Sequence, residues 1–288
     1  MKPVVTAIIP SRNEQFLYKT TLDLLEKAVE PIEIICLLDG YWPDPNEIID
    51  DVRVKYIHRG TARGMRSSIN SGAAIAQGDY LWKTDGHCMV SEGWDRECAN
   101  TCQDNWIIIP RRKRLDAENW TFTDEKKPDI DYMYLAAPKG AESLKGVLWD
   151  EKNKDAALKE VELDDLMSAQ GSAWFMPRPY FQHLELMDES QYGTFWNEFQ
   201  EIGLKCWLSG GEVKVDKRCW YAHLHKGAKY GRGYALREKG TGWTNKWVTE
   251  PVGVAWHKAD RPLSWLIEKF WPVPTWSEDR AEWGINEA

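Results

Sequence analysis

Apolar residues in the first ninety positions come in short continuous blocks, with helical periodicity filling the intervals between them. Val4 to Pro10 is a β-branched run that ends in the polar loop Ser11-Arg12-Asn13-Glu14. Leu17, Thr21, Leu24, Leu25 and Ala28 then recur at helical spacing, so a strand, a loop and a helix are predicted in that order. Ile32 to Leu38 reads as a second strand closed by Asp39-Gly40, Val54 to His58 as a third, Gly64 to Ala76 as a helix, and Tyr80 to Thr84 as a strand after the Gly78-Asp79 turn. Strands that are apolar throughout, with helices between them, indicate a parallel sheet covered on both faces. Ligands bind beyond the carboxyl ends of such strands, where Ser11 to Glu14, Asp39 and Asp85 all fall.

The second half is less regular. Trp106 to Pro110, Ala173 to Met176 and Glu212 to Val215 read as strands, Thr194 to Gly203 as a helix, and Leu263 to Phe270 as a late helix stopped by Pro272. Residues 111 to 165 are charged and carry no readable period. No internal repeat, low-complexity linker or composition shift marks a domain boundary.

Composition then narrows the function classes. With 43% hydrophobic and 28% charged residues the 288-residue chain is an ordinary folded protein of one or two domains. No apolar stretch approaches the roughly 20 residues that cross a bilayer, and the N-terminal VVTAIIP is unlike a signal peptide, so a cytoplasmic protein without a membrane partner is expected. The six cysteines form no CxxC pair and read as reduced, mostly buried thiols. The net charge of −8 argues against indiscriminate nucleic-acid binding, but residues 218 to 247 hold seven Lys/Arg against Glu238 alone, and Arg111-Arg112-Lys113-Arg114 is a second basic run. Either run fits an anionic ligand or a solvated surface.

Chemistry enters at Asp85-Gly86-His87. A carboxylate and an imidazole two residues apart at a strand end point the same way, and both suit a divalent cation. Such a cation serves a nucleotide diphosphate, whose leaving group gathers negative charge as a glycosidic bond breaks. Taken alone, the pair fits a capped turn, with Asp85 capping a loop and His87 packing, far better than a metal site. Its surroundings change that balance. Gly64-Met65-Arg66, Gly72-Ala73, Gly78-Asp79-Tyr80-Leu81, Asp85-Gly86-His87-Cys88 and Gly93-Trp94 resemble, in order and without a gap, a stretch of the polypeptide N-acetylgalactosaminyltransferases and of many glycosyltransferase family 2 enzymes.

The resemblance extends from residue 4 to about 226 and implies a GT-A fold, the Rossmann-like α/β architecture of nucleotide-diphospho-sugar transferases. It implies a catalytic domain over residues 1–235 and a C-terminal helical extension, 236–288, packed on it. IIPSRNE is similar to the family's first strand and nucleotide loop, so Pro10, Arg12 and Glu14 would wall and hold base and ribose, and Asp39 would accept a hydrogen bond from uracil. Gly64 and Arg66 fall on the donor side, Arg66 as a donor-binding cation or a solvated helix residue. Gly171-Ser172-Ala173-Trp174 resembles the segment lining the donor sugar. Trp196-Asn197-Glu198 with Glu201 resembles the acidic motif at the catalytic centre, the two glutamates lying three apart on one helix face. Tyr221-Ala222-His223 is similar to the family's Gly-His, which makes His223 the third metal ligand beside Asp85 and His87, with His225 as the alternative. Lys226, Lys229, Tyr230 and Arg232 lie in a glycine-rich segment expected to close over the donor or to be a plain surface loop. Mn²⁺ is the metal the resemblance implies, with Mg²⁺ as a substitute, and a UDP-sugar the donor. Both inverting and retaining outcomes stay open.

For the acceptor, the DGHC and YAHLHKG segments resemble compact glycosyltransferases of phage and environmental origin, and that likeness implies a hydroxymethylated pyrimidine in DNA. The two basic runs and 17 tryptophans, among them Trp243, Trp247, Trp256, Trp265, Trp271 and Trp276, are compatible with holding phosphates and an extruded base. The same tryptophans would serve equally as core. A glycan, lipid-linked or small-molecule acceptor is the alternative within the enzyme class, and a non-catalytic nucleotide-sugar or nucleic-acid binding module the alternative outside it.

Overall fold

The computed structural model describes residues 2–123, 129–139, 144–227, 229–236 and 242–287. Its centre is a mixed sheet built from β1 (Val5–Ser11), β2 (Ile32–Asp39), β3 (Val54–Arg59), β4 (Tyr80–Thr84), β5 (Cys88–Val90), β6 (Trp106–Asp116), β7 (Thr121–Phe122), β10 (Leu163–Asp165), β11 (Ala173–Pro177) and β12 (Glu212–His223). β8 (Met133–Ala136) and β9 (Lys145–Leu148) form a separate hairpin. The main path runs β10-β12-β6-β11-β4-β1-β2-β3, with β5 on β12 and β7 on β6.

The four N-terminal strands pair in parallel, as their continuous apolar character predicts. Every residue of β2 is buried, Glu33 included. That carboxylate is tolerated because Thr6 Oγ1 (2.6 Å), Lys55 Nζ (2.5 Å) and the Gln77 amide (2.5 Å) all donate to it. Helix α1 (Leu17–Lys27) buries Leu17, Leu24 and Leu25 against the sheet. Helix α2 (Met65–Ile75) approaches β1 so closely that a Cβ at Gly72 would stand 2.7 Å from Ile8 Cγ2. Helix α3 (Trp94–Thr101) follows Gly93 in the left-handed conformation, and its buried Asp95 accepts from the Val29 and Glu30 amides.

The second half departs from the predicted pattern in three places. β11 runs antiparallel to both β4 and β6, which reverses the sheet at that point. β12 extends eight residues past the predicted Val215, through an irregularity between Asp216 and Trp220, and ends on His223. Its polar residues hid it: Lys214 pairs with Asp165 at 2.6 Å and Arg218 with Asp216 at 2.8 Å, so charges that break the apolar run are satisfied locally. Helix α4 (Glu198–Leu208) starts four residues later than predicted, because Asn197 has φ +57° and cannot lie inside a helix.

The basic run 111–114 lies inside β6 rather than on an open patch. Arg111 pairs with Asp131 (2.9 Å), Lys113 with Asp129 (3.2 Å), and buried Arg112 donates to Gln170. These contacts are internal, which corrects the reading of this run as a surface for phosphates. Trp247, Trp256 and Trp276 are buried in the same core as Trp207 and Val213, and Trp265 packs against it, so these tryptophans are structural. Helix α5 (Leu263–Lys269) follows, with Phe270 edge-on to Trp207. All six cysteines are free and buried. Among the described residues no helix is long and apolar enough to cross a membrane.

Candidate active site

β4 ends at Thr84, and Asp85 stands just beyond it with its amide donating to Ser172 O at 2.9 Å. The chain turns through Gly86 and returns as β5, which pairs antiparallel with the end of β12 so that His223 sits opposite Cys88. This pairing brings residue 223 to residues 85 and 87. His223 Nε2 lies 3.1 Å from His87 Nε2 and 3.3 Å from Asp85 Oδ2, and His87 Nε2 is 3.9 Å from that same oxygen. Two donors bound to one ion at about 2.1 Å and roughly at right angles stand about 3 Å apart, so these three atoms have the separations of one face of a metal's ligand shell. They are the cluster of metal-ligating type found among the described residues. His225 meets His223 edge-on, with ring centroids 5.4 Å apart, and lies outside that cluster.

Electrostatics favour the ligating forms. Burial, with help from the neighbouring His87, pushes His223 down to about 3 although Asp85 pulls the other way, which keeps the imidazole neutral. Burial alone would raise Asp85, but the Lys83 charge and the His223 hydrogen bond outweigh it and hold the carboxyl well below its usual range. His87 Nδ1 faces Glu14 Oε2 at 2.9 Å, and Lys226 Nζ lies 2.7 and 2.8 Å from the two Glu14 oxygens. With Nδ1–H donated to Glu14, Nε2 of His87 presents a bare lone pair to the cluster, the arrangement in which an outer carboxylate fixes a ligating histidine. Burial opposes the charge on Glu14, yet its bonds to His87 and Lys226 lower its pKa overall.

On the other side of Asp85 stands Lys83, a residue whose part in the site sequence reasoning missed. Its Nζ is 2.8 Å from Asp85 Oδ1 and 3.1 Å from Glu198 Oε1, and it also donates to Gly171 O. Glu198 Oε1 further accepts from Trp174 Nε1 at 2.8 Å. Burial and the nearby Asp85 charge raise the Glu198 carboxyl despite Lys83 and Trp174. A Cβ at Gly171 would stand 2.5 Å from Glu198 Oε2, so only glycine lets the carboxylate lie there. Ser172 Oγ bonds Tyr221 OH at 2.8 Å and so ties this segment to β12.

The family model "Glycosyl transferase family 2" matches residues 6–184, more than half of the chain. The chain belongs to glycosyl transferase family 2. Among its relatives, polypeptide N-acetylgalactosaminyltransferase 3 of Drosophila melanogaster is 22% identical over 235 residues, 70% of this chain and 34% of that protein. Glycosyltransferase GlyG of Streptococcus pneumoniae serotype 4 is 28% identical over 182 residues, 60% of this chain and 52% of that protein. The family 2 chain thus spans from about a third to about half of the length of these relatives. A crystal structure of GalNAc-T7 with UDP, GalNAc and Mn²⁺ superposes with a TM-score of 0.59 at 18% identity, covering 81% of this chain and 46% of that one. Residues 1–349 of S. aureus TarS in complex with UDP-GlcNAc superpose with a TM-score of 0.53 at 12% identity, covering 82% and 62%. These likenesses establish the GT-A fold.

Within this family 2 chain the other expected residues separate into two groups. Asp39 is buried, and its oxygens accept from the Arg63 amide (2.9 Å) and the Gly64 amide (2.8 Å), so it shapes the entry to α2. Gly64 has φ +97° and packs on Thr194. Pro10 and Arg12 stand at the end of β1, with the Arg12 guanidinium 4.0 Å from the Tyr234 ring. Arg232 lies 5.0 Å over Phe195, Tyr230 bonds Glu118 at 2.8 Å, and Lys229 pairs with Glu118. Lys226 and residues 229–236 therefore lie against the β1 loop and its neighbours, while Arg237 and Lys239 fall outside the described residues. Arg66 and Glu201 are elsewhere. Both side chains are 0% exposed and pair with each other, Glu201 also accepting from Lys205 at 2.9 Å. Arg66, expected as a donor-binding cation or a solvated helix residue, and Glu201, expected beside Glu198 at the catalytic centre, thus form a buried ion pair with each other.

Proposed function

We propose that the chain transfers a sugar from a UDP-sugar to an acceptor hydroxyl, with a divalent ion, Mn²⁺ before Mg²⁺, held by Asp85, His87 and His223. The observation that carries this reading is the convergence of Asp85 Oδ2 and the two Nε2 atoms beside Glu198 in a family 2 chain. UDP with Mn²⁺ in the GalNAc-T7 structure and UDP-GlcNAc in the TarS structure support the donor class. An ion at this place would neutralise the charge that gathers on the departing diphosphate. Glu14 keeps His87 oriented, while Glu198, fixed by Trp174 and Lys83, is the carboxylate that faces the reacting sugar and acceptor. Pro10, Arg12, Gly171, Ser172 and the 226–236 segment are assigned to the donor side. The catalytic domain is taken as residues 1–235 and the remainder as an extension packed on it.

A hydroxymethylated pyrimidine in DNA is the acceptor to test first. Its remaining support is the excess of basic residues over 218–247 in the sequence, since Arg111 and Lys113 pair with Asp131 and Asp129, and Lys226 and Lys229 with Glu14 and Glu118. A glycan, lipid-linked or small-molecule hydroxyl is the alternative. Incubation with Mn²⁺ and a panel of nucleotide sugars should release free UDP slowly from one donor, and adding hydroxymethylpyrimidine DNA should yield a glycosylated nucleoside by mass spectrometry. Absence of both hydrolysis and binding with every donor would sink the enzyme reading and favour a binding module. Hydrolysis with unchanged DNA would move the acceptor to the alternatives.

A further inference from the structure

Lys83 occupies a position where a lysine is costly. It lies in β4 between Trp82 and Thr84, which are both buried, and its own side chain is 1% exposed. An ammonium taken out of water must find acceptors for its three N–H groups. They are Asp85 Oδ1 at 2.8 Å, the Glu198 carboxylate at 3.1 and 3.2 Å, and the Gly171 carbonyl. All three donors are therefore committed to the protein, which leaves none for a substrate.

The division of oxygens around this ammonium is the informative part. Asp85 gives Oδ1 to Lys83 and turns Oδ2 to His223 and His87. Glu198 gives Oε1 to both Lys83 and Trp174, and Oε2 to Lys83. Two carboxylates share one cation and so lie close to each other beside a cluster suited to a divalent ion. Without the ammonium between them, such an ion would draw in the second carboxylate as well.

We propose that Lys83 is a positioning residue that divides the two carboxylates, turning one oxygen of Asp85 to the metal and holding Glu198 out of the metal's shell. This rests on the metal reading of Asp85, His87 and His223. It makes Lys83 responsible for keeping coordination positions open to a diphosphate, and for keeping Glu198 on the substrate side. The cation also opposes the ion it stands beside, so metal affinity is held below what the donor atoms alone would provide.

The test is Mn²⁺ affinity of the intact chain, without donor, read from loss of the free Mn²⁺ electron paramagnetic resonance signal. Lys83→Met should bind Mn²⁺ about ten-fold more tightly than the parent, while its turnover of nucleotide sugar falls about 100-fold. Lys83→Met/Glu198→Gln should lose most of that gain, whereas Glu198→Gln alone should change affinity by less than about two-fold, the non-additivity expected of coupled neighbours. Lys83→Gln, which keeps hydrogen-bond donors without the charge, gives the same reading if the methionine variant does not fold. Weaker or unchanged Mn²⁺ binding on removing the lysine charge overturns the proposal. So does a ten-fold loss of affinity in Glu198→Gln alone, a readout that stands even if no Lys83 variant folds. A parent chain that binds no Mn²⁺ would instead overturn the metal reading itself.

Discussion

Two charged clusters lie within this fold, and they are built on opposite terms. Around Glu201 the charges answer one another: Arg66 and Lys205 donate to it, the Asp188 amide adds a bond at 2.9 Å, and both members of the Arg66–Glu201 pair are 0% exposed. Around Asp85 the donor atoms face each other without such closure. Two imidazole nitrogens stand 3.1 Å apart, and Asp85 keeps 30% of its side-chain surface open. A self-satisfied cluster holds structure together, whereas acceptor atoms that converge on one point are complete only with a cation between them. Each cluster holds a charged or ligating pair close in sequence, Glu201 and Lys205 four apart in one and Asp85 and His87 two apart in the other, so spacing alone does not separate the two cases.

Substitutions sharpen that contrast. Asp85→Ala should lower sugar transfer by roughly 10³-fold or more at a stability cost to the metal-free chain of about 1–3 kcal/mol, because buried Lys83 loses one acceptor and keeps Glu198 and the Gly171 carbonyl. Full activity in that variant would remove Asp85 from the site. Glu201→Ala should do the reverse, costing about 3–5 kcal/mol of stability because it strands two buried cations, with the folded fraction still active. Urea denaturation checks the first part, and a loss below about 1 kcal/mol would show the pair to be no more than a surface-like contact. Glu14→Gln tests the outer shell and should weaken Mn²⁺ binding by about 10- to 100-fold, measured by titration calorimetry.

Acid gives the gentlest probe. His223 is held near 3 in the folded chain against an ordinary value of 6.5, so the unfolded chain takes up its proton first as pH falls. Stability of the metal-free protein should therefore be full above pH 6.5 and decline towards pH 3, by at most about 1.4 kcal/mol per pH unit for this one group. Bound Mn²⁺ should offset part of the decline through its preference for the folded state. Melting temperatures that stay flat from pH 7 to pH 4 would contradict a buried neutral His223.

The N-terminal half was legible because local signals agree there. Ile32 to Asp39 is apolar enough to be a buried parallel strand, the one glutamate in it being met by Thr6 and Lys55. The Asp85-His87 pair was legible for the same reason, lying within three residues at a strand end. What escaped the sequence depended on partners far along the chain. β12 reads as a charged segment until Asp165 and Thr101 are seen beside it, and its pairing with β5 is what brings His223, expected from the resemblance with His225 as the alternative, beside Asp85 and His87. Glu198 and Glu201 share a helix and a turn, yet one faces Trp174 and Lys83 and the other Arg66, a difference that helical spacing does not encode. Lys83 was invisible because a lysine two residues before a candidate ligand looks like any strand-end cation.

The central claim is that one divalent ion sits on Asp85, His87 and His223 with Glu198 held aside. The direct measurement is anomalous diffraction from a crystal of the chain soaked in MnCl₂ and UDP. The account predicts a single manganese peak within about 2.1–2.3 Å of Asp85 Oδ2, His87 Nε2 and His223 Nε2, with Glu198 still bonded to Trp174 and Lys83. A manganese peak coordinated by Glu198 or His225, or no peak at these three atoms, would contradict it.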